Sequence, residues 1–129
     1  MENKNFLQDH SLKYIEMALS TDHIEKIENP DGYGKRTGDC GDTVQCFLIC
    51  PNDIIEHVCF QIDGCMNTIA CCNTVAQFIE GRPVDYAWTV SPEQIDRFLE
   101  TLPEDHFHCA ELAVGALYLA LTDLKSDKS

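Results

Sequence analysis

The sequence predicts an α+β domain, a small antiparallel sheet with helices packed on one face. Three observations carry this. Two neighbouring segments rich in β-branched and aromatic residues are separated by Pro51-Asn52-Asp53. Helical periodicity takes over after Gly64, and a capping signature opens another helix at Ser91. Runs of strands followed by runs of helices point to α+β architecture. A chain of 129 residues suits one domain, 1–129, with an N-terminal helix ahead of a core at about 27–124. A hydrophobic share of 44% with 24% charged residues excludes wholesale disorder.

Taken in order, Leu7, Tyr14, Ile15 and Ala18 fall on one side of a first helix over residues 5–19. Ser20 to Asp39 is irregular, punctuated by Asn29-Pro30-Asp31-Gly32, Gly34 and Gly38, and a short strand crosses it near Tyr33 to Thr37. Thr43 to Cys50 and Ile54 to Ile62 form a β-hairpin. In its first strand Val44, Cys46, Leu48 and Cys50 share one face, while Thr43, Gln45, Phe47 and Ile49 share the other. The second face is partly apolar, which leaves room for another element or another subunit. Ile69, Cys72, Ala76 and Ile79 then form the stripe of a helix from about Asn67 to Gly81. Ser91-Pro92-Glu93-Gln94 is a capping box with proline at the first helical position, predicting a helix to about Leu102. After a turn at Leu102–Asp105, a last helix from about Phe107 to Leu124 is apolar nearly all round, and so buried.

Charge narrows the function classes. Nine Lys+Arg against 22 Asp+Glu give a net charge of −13. Nucleic acid and anionic membrane surfaces repel such a protein. A membrane-spanning helix needs about 20 apolar residues, twice the run from Leu112 to Leu121. The eight cysteines would suit a disulfide framework in a secreted protein. Met1 to Asn5 lacks the apolar core of a signal peptide, however, and the chain has enough aliphatic residues for a core without staples. Reduced thiols in a cytoplasmic protein are the expectation.

Cys46, Cys50 and Cys59 lie within strands and read as small core residues. Cys40, Cys65 and Cys109 instead sit at junctions. Cys40 lies in Gly38-Asp39-Cys40-Gly41-Asp42, where Asp42, two residues on, points the same way in an extended segment. Cys65 follows Gly64 just before a helix, and Cys109, beside His108, lies in the first turn of the last helix. A helix N-terminus stabilises a thiolate, which prepares a thiol for metal binding or attack. Separations of 25 and 44 positions are unlike the Cys-x₂-Cys pairs of zinc ribbons. Any common site is therefore assembled by the fold, at one end of the sheet; the alternative is unrelated cysteines at scattered junctions.

In-order agreement of Asn29-Pro30, Cys40-Gly41-Asp42, Phe60 with Gly64-Cys65, Ile69-Ala70 and His108-Cys109 makes the stretch from about Ile27 to Leu124 resemble the NifU/IscU-type iron–sulfur cluster assembly scaffolds. The resemblance implies a three-stranded antiparallel sheet backed by helices. It implies that Cys40, Cys65 and Cys109 accept sulfur from a cysteine desulfurase and hold a transient cluster, of [2Fe–2S] type, for delivery to apo-protein acceptors. It further implies Asp42 as the carboxylate that keeps the cluster labile, His108 as a fourth-ligand candidate, and zinc at the same site when no cluster is present. Such a protein is not an enzyme, and it is a monomer or a weak homo-oligomer. Three thiolates with a carboxylate or imidazole give a weaker hold than four thiolates, as suits a donor.

Departures from the family pattern carry expectations too. Its best-known members have Leu-Pro-Pro-Val-Lys before His-Cys, recognised by an Hsp70-type chaperone. Here the stretch reads Leu102-Pro103-Glu104-Asp105-His106, so that partnership does not carry over. The insertion between the second and third cysteines that marks the zinc-dependent sulfurtransferase branch has no counterpart between Cys65 and Cys109. Cys72 falls on the apolar stripe; Cys71 beside it is a packing residue or a spare ligand, and His106 a loop residue or an extra imidazole. Three other readings compete: a zinc-binding sulfur acceptor, a structural zinc module, and a thiol enzyme with Cys109 as nucleophile. In the last, adjacent His108 splays by about 100° and is badly placed as a base, so His57 or His106 would have to serve.

Overall fold

The computed structural model describes residues 10–128. Helix α1 spans Leu12–Leu19, and Ser11 caps it by accepting a hydrogen bond from the Tyr14 N–H. Ser11 is itself extended, so the helix starts at Leu12; Leu7 and the rest of the expected first turns lie outside the described residues. Its buried side chains are Tyr14, Met17 and Ala18, while Ile15 is only half-buried. This is the i, i+3, i+4 face of a single stripe.

Strands β1 (Gly32–Thr37), β2 (Thr43–Ile49) and β3 (His57–Asp63) form one antiparallel sheet in the order β1-β2-β3. The third strand starts three residues later than its composition suggests. Asn52 and Asp53 take left-handed φ values of 56° and 63° in the turn, Ile54 pairs with Pro83 instead, and Ile55 drops into the core. Val44, Cys46 and Leu48 line the fully buried inner face. On the other face Phe47 is buried as well, with the Tyr33 ring 5.3 Å away. A neighbour within the same chain therefore covers part of this apolar face.

Four helices complete the chain: α2 (Met66–Ile79), α3 (Val84–Ala87), α4 (Pro92–Leu99) and α5 (Phe107–Lys128). Both hydrogen bonds of the Ser91/Gln94 capping box are present. Helix α4 stops three residues early, because Glu100 adopts a φ of 65°. Helix α3 was not expected, since four residues are too short to show a period. Helix α5 lies along β1 and β2 and packs against α2 and α4, while α1 packs on α2. By length and composition the stretch 104–124 could span a bilayer, contrary to the ten-residue count made from the sequence. More than half of it is buried against the sheet and helices, as in a core helix.

Candidate metal centre

Two turns and two helix starts meet at one end of the sheet. Gly38 and Asp42 close the loop between β1 and β2 through a backbone hydrogen bond of 2.9 Å, which places Cys40 at its exposed tip. Asp42 stands at the entry to β2. Cys65 is the N-cap of α2 and Cys109 lies in the first turn of α5. The Asp42 carboxylate and the Cys65 and Cys109 thiols place one ligand atom each within 4.8 Å of one another. Gly64 permits this approach: a Cβ there would lie 2.6 Å from Asp42 Oδ2. Asp42 Oδ2 in turn accepts from the Cys65 N–H at 3.3 Å.

Thr68, fully buried on the first turn of α2, ties the group together. Its hydroxyl donates to Asp42 Oδ2 at 2.7 Å and lies 3.6 Å from Cys65 Sγ. Hydrogen bonds, first from the Thr68 hydroxyl and then from Cys65 and the Cys40 thiol, hold the Asp42 carboxyl below the usual range against modest desolvation. Cys65 is exposed at its edge. Burial opposes its ionisation, but hydrogen bonds from the Thr68 and Asn67 backbone and from the Thr68 hydroxyl outweigh it and lower its pKa. Cys109 is fully buried, and burial pushes its pKa up to about 11. The helix N-terminus therefore eases the ionisation of Cys65 but does not do so for Cys109. There desolvation outweighs the dipole.

Of the five residues singled out from the sequence, three converge and two stand at the rim. The Cys40 thiol reaches Asp42 but lies outside the compact trio. His108 lines a groove of about 110 Å³ with Gly38 and Asp39 of the Cys40 loop, and stacks on His106 with ring centroids 5.7 Å apart. His106 contacts Asp105 at 3.0 Å. Cys71 and Cys72 are fully buried, and burial raises both thiols well above their ordinary range, as it does Cys46. They are packing residues. Thr68, Asn67 and Tyr14 escaped the sequence reading. The Tyr14 hydroxyl donates to Asn67 Oδ1, which anchors α1 beside the first turn of α2. A Cys-x-x-Thr spacing at a helix start, the N-cap-to-N3 interval, was the available signal for Thr68.

Two thiolates and a carboxylate this close repel one another, and a cation among them relieves that repulsion. The donor set of soft sulfur and one oxygen suits iron in a cluster or zinc. The model for the NifU-like N-terminal domain matches residues 21–129. The chain is 28% identical over 118 residues to the iron–sulfur cluster assembly scaffold protein IscU of Aquifex aeolicus, covering 89% of this chain and 75% of that one. It is 32% identical over 124 residues to the scaffold protein of the same name from Buchnera aphidicola subsp. Baizongia pistaciae, covering 85% and 98%. The crystal structure of the N-terminal part of a nitrogen-fixing NifU-like protein from Brucella abortus superposes with a TM-score of 0.75 at 14% identity, over 93% of this chain and 97% of that one.

Proposed function

The chain belongs to the NifU-like N-terminal domain family and acts as a scaffold in iron–sulfur cluster assembly; from that premise we propose that Cys40, Cys65 and Cys109 hold a [2Fe–2S] cluster as cargo, with Asp42 as weak ligand and His108 as a donor at the rim. The convergence of Asp42, Cys65 and Cys109 from three remote points of the chain supports this reading above all else. Cys65 and Cys40, both exposed, are the thiols first open to a sulfur donor, which we take to be a cysteine desulfurase. Cys109 must lose its proton as metal enters, so loading is coupled to proton release. Asp42, already ionised and held by Thr68, offers a hard oxygen that grips iron less firmly than a thiolate would. A cluster so held leaves readily for an apo-protein acceptor.

Scaffolds of this family are generally not enzymes, and in this reading the chain carries a cluster without turning over a substrate. We place it in a reducing cytoplasm as a monomer or weak homo-oligomer. The same donor set suits zinc in the isolated protein. Anaerobic incubation with ferrous iron, cysteine, a cysteine desulfurase and dithiothreitol, which supplies the electrons that reduce the transferred sulfur to sulfide, tests the reading. Visible charge-transfer absorption should develop with iron and sulfide in equal amounts, and should be lost in folded Cys65→Ala and Cys109→Ala. Folded wild-type protein that stays colourless, or full absorption in Cys65→Ala, would overturn it.

A further inference from the structure

A second group of ligating side chains lies farther along α2, sharing no residue with the Asp42–Cys65–Cys109 group. Glu16 and Ser20 of the α1 end, Asp22 and His23 after it, Asn73 of α2 and Glu80 just beyond that helix are among the residues lining a cavity of about 390 Å³. No lysine or arginine lines it among the described residues, and three carboxylates do. Its floor is rigid. Phe60 N–H donates to the His23 carbonyl at 2.7 Å, fixing His23 at the edge of β3, and Glu80 caps the end of α2. His23 Nε2 and Glu80 Oε1 stand 3.2 Å apart. An octahedral ion with ligands at about 2.1 Å places neighbouring donor atoms about 3 Å apart, so this pair already has the spacing of adjacent ligands.

Asn73 supplies the independent sign. It is 1% exposed, and its Nδ2 donates to the Met17 and Ser20 carbonyls at 2.7 and 3.0 Å. Its Oδ1 is buried without a partner among the described residues. A buried carbonyl oxygen left this way costs free energy that a bound group would recover.

We propose that this cavity is a divalent transition-metal site, separate from the thiol site, with His23 and Glu80 as anchoring ligands. The exposed Glu16 and Asp22 carboxylates swing in to complete the coordination, and a metal-bound water donates to Asn73 Oδ1. One imidazole with carboxylates favours ferrous iron, manganese or zinc over the softer metals that thiolates select.

Manganese(II), which has little affinity for thiols, is the probe. The chelator-treated full chain is titrated with it while the paramagnetic resonance of the free ion is followed, with circular dichroism as the check on folding. One ion per chain is expected. His23→Gln and Glu80→Gln should each weaken binding about tenfold or more, Asp22→Asn less, and Cys65→Ser not at all. Should His23→Gln unfold, the exposed Glu80 variant still decides. Affinity unchanged in Glu80→Gln, or abolished in Cys65→Ser, would overturn the assignment, and so would the absence of a stoichiometric site in the wild type.

Discussion

At Thr68 a single hydroxyl hydrogen faces Asp42, Cys65 and Cys109, and it can be given to only one of them at a time. In the metal-free protein Asp42 Oδ2 is the nearer acceptor at 2.7 Å and Cys65 Sγ, at 3.6 Å, the other in reach, so ionisation of Cys65 draws on this hydrogen as well as on backbone N–H groups. Thr68→Val keeps the volume and removes the hydroxyl. Iodoacetamide should then alkylate Cys65 more slowly at neutral pH, and metal affinity should fall about 10- to 100-fold, as for other supporting partners of metal ligands; Thr68→Ser should restore both. Unchanged alkylation in Thr68→Val would remove Thr68 from the site. Asp42, Cys65 and Cys109, which the fold brings together, could be singled out in the sequence because cysteines at element junctions have little packing reason to be there and Asp42 stands two residues from another such cysteine; that Cys40 and His108 stand outside this trio could not. Thr68 and Tyr14 were not, because a threonine inside a helix and a tyrosine on an apolar stripe look the same whether they pack or position. Cys109 was misjudged in acidity, since the dipole argument takes no account of burial, which only the fold supplies.

Among the elements, the contact between β1 and α5 sets the framework on which the site sits, since α5 carries Cys109 and the loop after β1 carries Cys40. A Cβ at Gly34 would lie 2.5 Å from both the Ala116 carbonyl oxygen and the Ala120 nitrogen, which are backbone atoms that cannot rotate away. Gly34→Ala should therefore push the helix off the strand and cost about 1–3 kcal/mol or more, read as an earlier urea midpoint with an unchanged slope. Stability equal to wild type would mean that α5 is more loosely seated than its contacts indicate. The elements themselves were largely readable. Ser91 marked the start of α4 to the residue because capping chemistry is local. Ends were less so: Glu100 terminates α4 in a left-handed conformation that no local residue type demanded, and the start of β3 waits on the pairing of Ile54 with Pro83, 29 residues away.

For the molecule as a whole, the buried thiols tie stability to two variables, metal and pH. The core formed by the inner sheet face with α2, α4 and α5 is built of buried apolar side chains, so chelation should leave the circular dichroism intact and lower the melting temperature only modestly; unfolding on chelation would instead fit a structural zinc module. Alkaline pH should act more strongly on the reduced, metal-free protein. Cys109 ionises near 11 when folded, against an ordinary value of 9.0, and burial raises Cys46, Cys71 and Cys72 in the same direction. Unfolded chains release these protons first. The stability they contribute is thus complete below about pH 9 and is lost as pH rises toward the folded values, by up to about 1.4 kcal/mol per pH unit for each thiol. Growing negative charge on a chain already at −13 works in the same sense, so a control is needed. Cys72→Ala supplies it: the variant starts less stable through its lost sulfur, but its decline above pH 9 should be shallower by one proton's slope. Urea denaturation at stepwise pH under reducing conditions measures both slopes. Parallel curves for wild type and Cys72→Ala would show that charge repulsion, and not the buried thiols, governs alkaline unfolding.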